Sequence, residues 1–113
     1  MLFKQHHIPM IRSESKTVTR REWKDNYSPP KPGTVVAAKT HLFEPDADCD
    51  CFIEIQDIRT ELLGDISQES AQREGDYETV AEFREEYENV YGEDAWEPDA
   101  EIHVVTFEYV GED

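Results

Sequence analysis

At 113 residues the chain is one domain with room for a modest core and no more. Hydrophobic residues make up 37% of it and aromatic ones 11%, which excludes the aromatic-poor acidic chains that stay disordered. The formal charge of −16 is spread over many acids with little lysine, which reads as solvation in high salt (a halophilic pattern) rather than as a ligand site.

The charge is uneven. Residues 1–40 carry eight Lys and Arg against three acids, whereas residues 41–113 carry three Arg against 24 acids. At molar salt the Debye length is only ~3 Å, so a functional cation there must act by direct contact. The N-terminal cluster SESKTVTRR is the natural place for such contact. No apolar run approaches the ~20 residues that cross a bilayer, and MLFKQHHIPM lacks the apolar stretch of a signal peptide. A cytoplasmic protein is expected.

In chain order, HHIPMIRSES reads as a short helix, with Pro9 suited to its first turn. KTVTRREW alternates and is β-branched, so it reads as a strand. Residues 24–33 carry three prolines and form a loop. Residues 34–43 and 51–63 read as strands, the second with Ile53 and Ile55 on one face. Cys49 and Cys51 are too close to close a stabilising loop, and a lone cysteine pair lacks the second ligand set of a zinc site, so no metal or cofactor is expected. Asp65 and Gln68 predict the start of a short helix that stops near Gly75. Thr79 and Glu82 form a capping box for a longer one, which carries Val80, Phe83, Tyr87 and Val90 at helical spacing and closes at Gly92. The last element, EIHVVTFEYV, is a strand with His103, Val105, Phe107 and Tyr109 on one face. This order predicts an α+β domain spanning 1–113, a small barrel of about five or six strands with two or three helices over its openings.

That pattern, with KTVTRR following a short apolar helix, resembles the ASCH domain family, whose fold is a PUA-like β-barrel associated with RNA. The family's signature is a glycine, any residue, a lysine, four more residues and an arginine. Here it runs from Glu14, in the glycine's place, through Lys16 to Arg21. Within the family the chain is most similar to the small bacterial N(4)-acetylcytidine amidohydrolases, which run KTITIR where this chain runs KTVTRR. The resemblance implies that Lys16 and Thr19 are catalytic. It implies the same of Glu74, through the match of AQREG to the segment that carries the family's glutamate. Gly75 follows here where an asparagine is common, and NVYG matches the family's IYPG turn loosely.

The residue types suit amide hydrolysis. A threonine hydroxyl attacks only when a neighbouring base takes its proton, and lysine and glutamate can supply base and acid. In a regular strand, however, Lys16 and Thr19 lie on opposite faces. They converge only if Lys16 precedes the strand proper or a bulge reverses the alternation. The plain alternative is a solvated lysine, a β-branched strand residue and one helix acid among many.

The first reading is an RNA- or nucleoside-binding protein acting in RNA metabolism, with a pocket beside Lys16–Arg21, and amide hydrolysis is the alternative. The candidate ligand contacts are Lys16, Thr17, Arg20 and Arg21, with Trp23 and Tyr27 as stacking platforms. Trp23 packing on the barrel edge is an equal alternative. His6 and His7 could line a pocket mouth, but for them and for His41 a satisfied structural histidine is the commoner outcome, and His103 is placed in the core or pocket. A third reading makes the acidic second half an interaction surface for a basic partner. A monomer is expected.

Overall fold

The computed structural model describes residues 1–23, 28–41, 51–75 and 77–112. A 3-10 turn at Gln5–His7 leads into helix α1 (Ile8–Arg12), with Pro9 in its first turn. Strand β1 (Val18–Arg21) and strand β2 (Val35–Ala38) are short; strand β3 (Cys51–Leu62) is long. A second 3-10 turn (Leu63–Asp65) precedes helices α2 (Gln68–Arg73) and α3 (Val80–Tyr91), and strand β4 (Glu101–Gly111) follows.

The sheet is antiparallel in the order β1-β4-β3-β2, so the first strand lies beside the last. It has four strands among the described residues, against the five or six that the sequence predicts; Leu2 and Lys39 add only a single parallel bridge. The β3–β4 ladder slips register twice, at Phe52/Ile53 and Ile55/Asp57. Each irregularity adds local twist, and the sheet curls into half a barrel.

The main core lies on the concave face. Ile53 and Ile55 of β3 meet Val105 and Phe107 of β4, and Phe3, Ile8 and Ile11 from the N-terminal segment cover them. The alternation read from the sequence therefore holds for β3 and β4. Ile102 and Val104 are also buried, because β4 is a central strand covered on both faces.

One local expectation is corrected. Helix α2 begins after Ser67, whose hydroxyl accepts from the Ser70 N–H at 3.1 Å, and not at Asp65. Asp65 ends the 3-10 turn that the fully buried Leu63 begins. Helix α3 does start at Thr79, whose Oγ1 accepts from the Glu82 N–H at 3.2 Å. Its apolar stripe, however, does not join the main core. Phe83 packs instead with Ile66 and Ala71, under Tyr77, Val80, Tyr87 and Trp96. The N-terminal segment already fills the concave face, so α3 stands off from the sheet. Val90 is left 48% exposed.

Candidate functional site

Between the N-terminal segment and α3 lies a cavity of about 490 Å³. Leu2, Phe3 and His7 form one wall and Phe83, Val90 and Tyr91 the other. Lys16, Thr19, Arg20, Arg21 and Glu74 line its base. Three elements far apart in sequence supply these residues, and the local backbone explains how each arrives.

Lys16 is delivered by the end of α1. The Ser15 N–H donates to Met10 O at 2.8 Å and the Glu14 N–H to Ile11 O at 3.1 Å. That bond pair defines a Schellman cap, and Glu14 sits at its left-handed position with φ +64°. Glycine is favoured there because a Cβ crowds the following carbonyl in that conformation. The glycine of the ASCH signature thus falls on the one position of this turn that calls for glycine. Immediately afterwards the Thr17 N–H donates to Arg73 O at 2.9 Å, tying the start of β1 to the end of α2. Lys16 precedes the strand proper, so strand alternation does not separate it from Thr19.

Glu74 caps the C-terminus of α2. Gly75 follows at φ +137°, and a Cβ on it would come within 3.0 Å of Met10 Sδ. The backbone therefore turns there in a conformation that a side chain strains, and α2 is packed close against α1.

The charged centre is almost dry. Lys16 is 2% exposed and Glu74 3%. Lys16 Nζ donates to Glu74 Oε2 at 3.0 Å, to Glu74 O at 2.8 Å and to Val18 O at 3.0 Å. Val18 O belongs to the peptide that joins Val18 to Thr19, so the ammonium sits beside the backbone of the threonine. Arg20 approaches Glu74 from the other side, with NH1 3.2 Å from Oε1. Its NH2 reaches Glu61 Oε1 at 3.0 Å and Ser70 Oγ at 2.7 Å. Arg20 Nε is buried without a hydrogen-bond partner among the described residues. Partial burial pushes the Glu61 carboxyl up, but hydrogen bonds from Arg59 and Arg20, and their charge, bring it below the usual carboxylate range.

The residues named from sequence separate into groups. Lys16, Thr19 and Glu74 come together at the cavity. Arg21 also lines it, with its guanidinium 4.9 Å from the Phe3 ring centre and NH2 donating to Leu2 O at 2.6 Å. Arg20 lines it as well, but its end groups are engaged by acids. Thr17 is held by backbone bonds and does not line the cavity. Nor does Trp23, which lies 5.2 Å from the His103 ring and packs on the main core, the barrel-edge alternative. Tyr27 and Cys49 lie outside the described residues. His7 and His41 line the cavity, His7 buried and His41 exposed.

Sequence reasoning missed the far wall. Tyr91 is 60% exposed at the mouth, next to Val90 and 4.7 Å from the Tyr87 ring. Lys4 and Glu86 form an ion pair that links the two walls. A residue at the end of a helical stripe that continues past the buried positions was the available signal.

No protein-family model matches the sequence, and no curated protein does either. Solved structures do match it. An ASCH domain from Lactobacillus crispatus JV V101 superposes with a TM-score of 0.73 at 17% identity, over 93% of this chain and 70% of that one. A protein from Enterococcus faecalis V583 gives 0.69 at 19% identity, over 94% and 71%. A variant of an ASCH protein from Zymomonas mobilis gives 0.63 at 13%, over 96% and 66%. The chain has the ASCH-domain fold. Among the described residues no helix is long and apolar enough to cross a membrane.

Proposed function

We propose that this cavity binds a single modified nucleoside and hydrolyses an amide on its base, with N(4)-acetylcytidine as the substrate to test. The observation that carries the reading is the buried contact of Lys16 with Glu74 on the same cavity wall as Thr19. Chance surface residues rarely converge, and burying such charges is costly for a small domain.

The Lys16–Glu74 contact, with Thr19 lining the same cavity, supports the following sequence. Lys16 first passes a proton to Glu74 Oε2 along their hydrogen bond, leaving a neutral amine and a neutral acid. The amine takes the Thr19 hydroxyl proton as Oγ1 attacks the acetyl carbon. Glu74 then gives its proton to the exocyclic nitrogen as the carbon–nitrogen bond breaks, releasing cytidine. In the second half Glu74, again a carboxylate, takes a proton from water as the water attacks the threonyl ester. That proton returns to Thr19 as acetate leaves.

A strand of RNA is the less favoured ligand. Strand binding relies on cations open to phosphate. Lys16 and Arg20 are instead buried against Glu74 and Glu61, and Lys4 is paired with Glu86.

The test is release of cytidine from N(4)-acetylcytidine by the purified protein in molar KCl. The parent hydrolyses it, and Thr19→Ala binds it without turnover. No release by the parent, or equal turnover by Thr19→Ala, overturns the proposal.

A further inference from the structure

We infer that Arg20 is a positioning residue that fixes the Glu74 carboxylate against Lys16, and that Glu61 and Ser70 fix Arg20 in turn. This rests on the hydrolytic reading of the cavity.

A glutamate carboxylate sits beyond three torsions, so a bond to one oxygen alone leaves the group free to swing about that bond. Here both oxygens of Glu74 are held. Lys16 takes Oε2 at 3.0 Å and Arg20 NH1 takes Oε1 at 3.2 Å. The two cations take different oxygens, Lys16 from just before β1 and Arg20 from within it. A guanidinium is rigid and planar, so fixing its other end fixes the whole fork. NH2 is fixed doubly, by the Ser70 hydroxyl at 2.7 Å and by Glu61 at 3.0 Å. Ser70 lies on α2, one turn before Glu74. Arg20 therefore ties the carboxylate to its own helix, and through Glu61 to β3.

The two buried cations, Lys16 and Arg20, face Glu74 and Glu61, with the exposed Arg59 also paired to Glu61, and the Phe83 ring lies 5.9 Å from the Arg20 guanidinium carbon. An arginine meant to meet a ligand phosphate would present its fork to the cavity. This one spends two of its three nitrogens on acids and Ser70. What Arg20 controls is the direction in which Glu74 can receive and give its proton.

The experiment compares Arg20→Met, Arg20→Lys and Ser70→Ala with the parent on N(4)-acetylcytidine, reading kcat and KM separately. A full loss of general acid–base catalysis is worth roughly 10²–10⁴-fold, and a misdirected acid should lose a part of that. Arg20→Met is expected to lower kcat on the order of tenfold or more with KM little changed. Arg20→Lys, which keeps one cation but not the fork, recovers part of the loss. Ser70→Ala, which keeps every charge, lowers kcat by a few fold with the same KM. The Ser70 variant carries the test if Arg20→Met does not fold. A rise in KM at constant kcat shows Arg20 touching the ligand and overturns the inference. So does a fall in thermal midpoint with both constants unchanged, which is a structural role only. Parental kcat in Arg20→Met and Ser70→Ala overturns it while leaving the hydrolytic reading intact. No hydrolysis by the parent removes both.

Discussion

Glu74 Oε2 and Lys16 Nζ are 3.0 Å apart across 58 positions of sequence, and both are buried. Removing one member of such a pair leaves the other charge dry and only partly matched. Lys16→Met is therefore expected to cost about 3 kcal/mol, near the low end for a broken buried pair because Arg20 still holds Glu74. Adding Glu74→Gln should cost less than the sum of the two single changes. Denaturant unfolding of the four proteins measures the coupling, and strict additivity would show that the pair does not interact.

Glu14 stands at φ +64° in the Schellman cap. A non-glycine residue there costs about 1–2 kcal/mol, partly offset by the extra freedom glycine has when unfolded. Glu14→Gly should stabilise the fold by about 1 kcal/mol, read as a higher denaturation midpoint at unchanged slope. An unchanged or lower midpoint would contradict the turn geometry.

Phe83 is the centre of the small cluster beneath α3, in edge contact with Tyr77 and Trp96. Phe83→Ala should cost about 3 kcal/mol, and Val90→Ala, on the same stripe but exposed, less than about 0.5 kcal/mol. Similar costs at the two positions would mean that α3 packs along its whole length.

Glu61 binds its proton less tightly when folded than its ordinary value of 4.5 implies, because Arg59 and Arg20 outweigh partial burial. A lowered carboxyl adds stability above the unfolded value, and that stability is lost as pH falls through the folded one. The stability of Glu61→Gln should thus fall less steeply with acid below pH 4.5 than that of the parent. Parallel acid limbs would show that Glu61 is not paired in solution.

The architecture was legible because each strand carries its own period. Ile53 and Ile55, or Val105 and Phe107, find the core by alternation alone. The site was legible only in part. Lys16 and Thr19 had to violate alternation to meet, and the helix cap that permits it hides behind a glutamate where glycine is usual. Arg20 was expected at the ligand because its sequence neighbours are basic. Its acids come from β3 and α2, and no local pattern announces that approach. The stacking residues were sought next to the cluster, at Trp23 and Tyr27. Tyr91 instead reaches the cavity from a helix seventy positions beyond Arg21 in the chain, because α3 stands off from the sheet.

Among the described residues strand β1 has one ladder partner, the last strand β4: Val18 faces Thr106. During synthesis at roughly 5–20 residues per second, β1 leaves the ribosome several seconds before the strand it pairs with. Lys16, just before β1, and Arg20, within it, meet acids from α2 and β3, but the ladder that holds β1 in register closes only when β4 arrives. A nascent chain arrested before β4 would thus carry all three residues of the candidate machinery, and the Thr17–Arg73 tie, without the ladder that holds β1 in register.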